Sequence, residues 1–348
     1  MEVPVMDIDR RLYKFAMKQV NGLLTYDVPE DAVYSKEEHL RVLLAASLVN
    51  GFAEGVSQSL GGPTGETVFS YIKSQDMERL KGAFDGLIER NVEFLRKKRK
   101  LLRVPVAIDW HDVMYYGDPE TDMVVGTQHK KGSNYAFEYL TASVLVDGER
   151  LILAALPISS RKEVPARVAD IVARIERLKV RIRYLTLDGG FFNVDVIRFL
   201  DPRIRYVMHM PSTQKTRKMR LWDGRRFRYT TTGWKRKKEE QASFDVVVAY
   251  DKTKDYTYLL ATNLDYKAQT ILNLFKKRWG IETSYRMTNQ FLIKTTSKKY
   301  VIRLFYYLFA CIMYNLWIIY NQENPTQAIQ MKLYVIGYIM NKPKGQPT

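Results

Sequence analysis

The stretch IRYLTLDGGFF, Ile182–Phe192, opens with six residues that favour extended chain and stops on an aspartate and two glycines. Alternating aliphatic, aromatic and β-branched residues read as a buried strand, and the Asp-Gly-Gly that follows reads as its end. VPVAIDW, Val104–Trp110, has the same form and is expected to stop on Asp109. Around these two runs, DMVVGT and AFEYLTASVLVDGERLILAALPI read as further strands, the second broken by the hairpin signal Asp147-Gly148. Residues 163–180 form an amphipathic helix, with Val168, Ile171, Val172, Ile175 and Leu178 on one face. FNVDVIRFL reads as a short helix and IRYVMHM as a strand.

The order is three strands, helix, strand, helix, strand. It implies an α/β protein with a mixed sheet and flanking helices, and it resembles the ribonuclease H fold. A helix should come next in that fold, but residues 212–265 intervene with the strand candidates RRFRYTTT, SFDVVVAY and YTYLLATNL. The helix arrives after Tyr266, is interrupted at Gly280, and is followed by an aromatic-rich helix over 300–321. Residues 1–100 read as helices. The expected organisation is a helical region over 1–100, a first core segment over 101–211, a β-rich insertion over 212–265, and the rest of the core with C-terminal helices over 266–348. Within the helical region, SKEEHLRVLLAASLVNG starts on a Ser35 cap. FAEGVSQSL, Gly61-Gly62-Pro63 and TGETVFSYIKSQ then form a possible helix-turn-helix that could present Thr64–Gln75 to DNA.

The 348 residues carry 55 Lys+Arg against 38 Asp+Glu, a net charge of +17. Such an excess fits a surface that meets a polyanion, most commonly nucleic acid. It is concentrated in the insertion: from Arg203 to Lys238 there are 13 basic residues and one acid, Asp223. Arg225, Arg226, Arg228, Lys235, Arg236, Lys237 and Lys238, interleaved with Trp222 and Trp234, suit a nucleic-acid groove. The single cysteine, Cys311, rules out an internal disulfide framework. The four scattered histidines have no zinc-site spacing. MEVPVMDIDRRLYKF has no export-signal pattern, and the apolar run 304–320 carries four tyrosines and Asn315. The expectation is a cytoplasmic protein with that run as a core helix and no membrane partner.

Two aspartates that end central strands, Asp109 and Asp188, mark the place where ligands bind in open α/β sheets. Glu282 follows on a helix, one turn after Arg278. Three carboxylates brought to one cleft repel one another and would protonate unless compensated. A pair of hard divalent cations, Mg²⁺ or Mn²⁺, about 3.5–4 Å apart, would resolve that and support phosphoryl transfer.

LFKKRWGIETSYRMTN, with LTLDGGFF upstream, resembles DDE transposases of bacterial and archaeal insertion sequences. The similarity is to the branch with a Tyr-x2-Arg-x3-Glu-x6-Lys signature and a β-rich insertion between the second Asp and the Glu. The resemblance covers roughly 100–320 and assigns Asp109, Asp188 and Glu282 as metal ligands with Arg278 beside them. Phe275 stands in the Tyr place and Asn289 in the Lys place, among the DNA contacts. It implies cleavage at transposon ends, strand transfer into target DNA, double-stranded DNA as partner, and a homodimer on DNA. It also implies an aromatic residue in the insertion stacking on a displaced base, with Trp234 and Trp222 as candidates. Two other readings stay open: a ribonuclease H-fold nuclease that cuts without joining, and a non-catalytic DNA-binding protein derived from a transposase.

Overall fold

The computed structural model describes residues 5–99, 103–146, 150–214, 216–235 and 238–341. The expected hairpin turn at Asp147-Gly148, and Arg236 and Lys237, lie outside the described residues.

Central to the sheet is β1 (Arg103–Tyr115), whose stretch Val106–Asp109 is buried on both faces, as a strand between two neighbours must be. β2 (Val125–Lys130) and β4 (Ile152–Ile158) share one edge of β3 (Ser133–Val144) end to end, and β1 takes its other edge, antiparallel. On the far side of β1 lie β5 (Arg181–Leu187) and β6 (Tyr206–His209), both parallel to it in direction. The insertion strands β7 (Arg226–Lys235), β8 (Lys238–Asp251) and β9 (Tyr256–Thr262) continue the same sheet. β9 joins β6 antiparallel, giving the order β2-β3-β1-β5-β6-β9-β8-β7. The mixed sheet with flanking helices expected from the sequence is therefore present, and the β-rich insertion enlarges it.

Helices cover the sheet where their apolar stripes allow. α6 (Val164–Arg177) buries Val168, Ile171, Val172 and Ile175, the predicted face. α7 (Val194–Leu200) buries Val196, Ile197 and Leu200 and packs against β7 and β8. α8 (Ala268–Lys276) lays Ile271, Leu272 and Phe275 on Val207, Val247, Tyr258 and Leu260. After α8 the chain tightens into a 3-10 turn, Lys277–Trp279, and α9 (Gly280–Asn289) starts anew, so the predicted interruption at Gly280 is a change of helix type. A Cβ at 280 would meet the Arg150 guanidinium at 2.6 Å, the far end of a flexible side chain.

A second compact unit is helical: α1 (Val5–Asn21), α2 (Lys36–Leu48), α3 (Ala53–Leu60), α4 (Gly65–Lys73) and α5 (Met77–Arg99), with α10 (Tyr300–Glu323) and α11 (Ala328–Asn341). Ser35 and Glu38 form a complete capping box for α2. The α5 stripe buries Leu80, Phe84, Leu87 and Ile88, whereas Met77, at the first position, is exposed. Carbonyls at and beyond the end of α9 are met by side chains of this unit. Asn50 donates to Asn289 O (3.0 Å) and Leu292 O (2.6 Å), and Ser47 to Phe291 O (2.6 Å). α10 is long and apolar enough to cross a membrane, yet 89% of its most apolar window is buried inside the protein. It is the core helix of its unit, as its tyrosines and Asn315 imply.

Cys311, within α10, is fully buried, and burial pushes its thiol up out of the reactive range. The native protein should therefore resist thiol-labelling reagents, and one equivalent should react only on denaturation. Fast labelling in native buffer would contradict this placement of α10.

Candidate active site

The register across three parallel strands fixes the geometry of the site. Ile108 pairs with Leu187, and Leu187 with Met208. The next residues, Asp109, Asp188 and His209, therefore stand level across adjacent strands, and neighbouring parallel strands run about 4.8 Å apart. The structure corrects one expectation. β1 does not stop on Asp109 but runs to Tyr115, because its antiparallel partner β3 pairs with it to that point. Only the pairing of β1 with β5 ends at Ile108, and that opens the gap beside Asp109.

Asp188 caps the turn it begins, accepting from Gly190 N at 2.8 Å. The two glycines let this turn settle closely. A Cβ at Gly189 would lie 3.0 Å from His209 Nδ1, and one at Gly190 would lie 3.0 Å from Trp110 Nε1. Asp109 is 6% exposed. One of its oxygens accepts from Trp110 N at 2.9 Å, and the other accepts from Arg278 Nη1. Burial raises its carboxyl to about 6; Arg278 opposes that rise and Asp188 adds to it. Arg278 comes from the 3-10 turn after α8 and lies against the Phe275 ring at 5.5 Å. Glu282 is exposed in the first turn of α9. Among the described residues, no three His, Cys, Asp or Glu side chains converge closely enough to hold a metal ion. The structure thus brings Asp109, Asp188 and Arg278 together, and leaves Glu282 facing solvent. The Asp109–Asp188 pair places carboxylate oxygens level on adjacent strands, but Asp109 is already charge-paired with Arg278, so a hard divalent cation bound there would compete with that guanidinium.

His209 is a member of this constellation that sequence reasoning missed. Burial, then Arg220, push its imidazole below the usual range; Asp188 pulls it up and Arg278 lowers it. The available signal was the form of IRYVMH, a third strand ending on a polar side chain like VAID and LTLD. Strand alternation turns Trp110 to the opposite face from Asp109. There it stacks on Phe191 (5.1 Å between ring centroids) and carries the Arg161 guanidinium at 3.7 Å. Arg161 also pairs with the buried Glu138 at 2.6 Å, and Lys130 with Asp112 at 2.7 Å. Asp112 faces Glu138 across β1 and β3. Burial lifts Glu138 to about 7, against Arg161 and with Asp112. His111 is buried in β1 opposite Tyr139.

The expected DNA contacts fall into distinct settings. Arg225 is exposed. Arg226 donates to Leu264 O (2.6 Å) and Tyr266 O (3.1 Å), and Arg228 to Ser243 O (2.7 Å). Both also pair with Asp245, so they brace the insertion. In the ribbon register Trp234 lies opposite Glu239 and Lys235 opposite Lys238. Trp222 is partly exposed and meets Phe227 edge-on at 5.3 Å. Asn289 ends α9. The helix-turn-helix candidate is formed by α3 and α4, joined through Gly61 at φ +64°. The exposed side chains of α4 are Glu66, Ser70 and Lys73, a face with no net charge.

Two aspartates thus stand level on adjacent parallel strands of the mixed sheet, beside an arginine and followed by a helix that carries a glutamate. Residues 101–316 match the family model described as the transposase DDE domain, and the chain belongs to that family. A search of curated proteins found no match.

Asp109 and Glu138 have folded-state values above the ordinary carboxylate value of about 4. The native state then binds more protons than the unfolded state between about pH 4 and 7, so these groups make stability fall as pH rises through that window. Asp109→Asn and Glu138→Gln should each flatten that fall, measured as thermal midpoint against pH. Unchanged profiles in both variants would contradict the burial argument.

Proposed function

We propose that the protein is a transposase that cleaves DNA at the ends of its mobile element and joins the freed 3′-hydroxyl to target DNA. The observation that carries this reading is the level pair Asp109–Asp188, with Asp109 desolvated and raised to about 6 beside Arg278. Buried carboxylates so placed are poised for cations. Asp109 and Asp188 would supply oxygens to Mg²⁺ or Mn²⁺; Glu282, which the resemblance assigns as the third ligand, faces solvent here and would have to turn toward them to complete a two-ion site. Bound there, such ions make water or a 3′-hydroxyl nucleophilic and stabilise the leaving oxygen. Asp188, fixed by its turn, and Asp109, fixed by its strand, supply oxygens from a rigid sheet. Arg278 supplies positive charge at the same point, where a phosphate gathers negative charge.

The substrate is double-stranded DNA, engaged by a homodimer so that two ends are held together. The basic insertion, with Arg225 and Lys235–Lys238 as its contacts and Trp234 or Trp222 for stacking, supplies affinity, whereas the exposed face of α4, without net charge, would contribute base contacts only. The cytoplasm is the compartment that fits.

Asp109→Asn, Asp188→Asn and Glu282→Gln should each reduce Mg²⁺-dependent cleavage of an end-bearing duplex by more than about a hundredfold. Affinity for DNA should stay within a few-fold. Retained cleavage in any of the three would overturn its assignment, and cleavage without joined product in the wild type would favour a nuclease. Neutralising Arg225 together with Lys235–Lys238 should weaken binding and flatten its salt dependence, by roughly 0.9 in slope for each phosphate no longer neutralised. An unchanged slope would remove the ribbon from the DNA surface.

A further inference from the structure

The helical unit carries a basic face on its first helix. From Arg10 to Asn21, α1 holds Arg10, Arg11, Lys14 and Lys18 and no acid. Leu12, Tyr13, Ala16, Met17 and Val20 are buried, so the apolar face of α1 is used within its own unit, where it packs on α2, α10 and α11. The four cations take the other face, and all are exposed.

Arg10, Lys14 and Lys18 follow one another at four-residue spacing, which sets them in one row along the helix surface. None of the three forms an ion pair among the described residues. Like charges at this spacing repel and cost helix stability. Only Lys18, in the last turn, is favoured by the helix dipole. The fold offers Arg10 and Lys14 no compensating charge, and a polyanion would supply it. Beside the row, α1 and α2 line a cleft of about 440 Å³. Its lining includes Lys14, Lys18 and, from α2, Lys36, with Glu37 as the one acid.

The row is about 12 Å long at 1.5 Å per residue. B-DNA presents one phosphate per about 3.4 Å of axis on each strand, so the row spans about three phosphates of one strand. Three neighbouring helices hold α1, so it meets a duplex flank-on, where the phosphate ridge comes first; contacts to that ridge position a duplex without reading it. α4, the helix-turn-helix candidate, differs: it exposes Glu66, Ser70 and Lys73, with no net charge. A lipid surface fits α1 less well, because an amphipathic helix binds lipid through a free apolar face, and that of α1 is buried.

We propose that α1 is a sequence-independent contact of the helical unit with the DNA backbone, made by Arg10, Lys14 and Lys18, with Lys36 of α2 beside them. The partner rests on the transposase reading; the surface does not. Labour within the unit is then divided: α1 holds the duplex, and base reading is left to α4.

The test is equilibrium binding of two labelled duplexes to the full chain in EDTA, across about 50–300 mM salt. One duplex bears an end of the element, and the other has an unrelated sequence. Arg10→Gln, Lys14→Gln and Lys18→Gln together should weaken both by the same factor, about tenfold or more at low salt, and lower each salt slope by roughly 0.9 per phosphate released. The charge-keeping set Arg10→Lys, Lys14→Arg and Lys18→Arg should retain affinity and slope. A folded neutral variant with the wild-type slope would overturn the proposal. A loss confined to the end duplex would overturn its sequence independence and make α1 a reader of bases. Should thermal midpoints show that the neutral variant does not fold, lysine acetylation of the wild type, read by mass spectrometry, decides. Saturating duplex should protect Lys14 and Lys18, and full reactivity of both would refute the contact. Protection by vesicles of anionic lipid, but not by duplex, would replace DNA with a membrane. Wild type that binds both duplexes but cuts neither in Mg²⁺ would refute the transposase reading alone, and leave the slopes to judge α1.

Discussion

Asp109 is held almost wholly out of water in the middle of a strand, and the arrangement around it follows from that. A carboxylate so placed needs compensating charge, or it takes up a proton. Arg278 reaches it from the turn after α8, and that reach depends on α8 lying flat on Val207, Tyr258 and Leu260. α8 in turn needs β9 and β8 beneath it, which the insertion supplies. The insertion is thus part of the platform under the site, because its strands make the surface on which the helix bearing Arg278 rests.

Much of this was legible from sequence where the signal is local. IRYLTL ends on Asp188 because Gly189 and Gly190 follow, and the chain turns there as expected. The α6 stripe and the Ser35 cap were equally readable, since both depend on residues within one or two turns. Asp109 was half legible. Its gap beside β5 is real, but continued pairing with β3 as far as Tyr115 is a property of two strands about 20 residues apart, which a single run of residues cannot reveal. The Glu138–Arg161 pair, and the support it gives Trp110, were invisible for the same reason.

Charge shows a different limit. Composition marks the region from Arg203 to Lys238 as basic, but it does not separate cations that brace the fold from cations left over. Arg226 and Arg228 direct their donors to the carbonyls of Leu264, Tyr266 and Ser243 and to Asp245. Arg220 donates to the Tyr256 hydroxyl and rests on its ring, whereas Arg225 is left exposed. His209 carried no signal of spacing. Its place emerges only when β1, β5 and β6 are set in register.

The sheet ends on β7, whose outer side has no strand beside it among the described residues. A long terminal strand is an invitation to pair with a second chain through its unused amides and carbonyls. This one carries Arg226 and Arg228 near its start, Lys235 at its end and a glycine before its tryptophan. Two such strands approaching each other would bring like charges into contact and gain little from packing at Gly233. Positive charge along β7 therefore works against pairing of this edge with a second copy, and replacing Arg226, Arg228 and Lys235 by neutral residues would expose the edge to self-association.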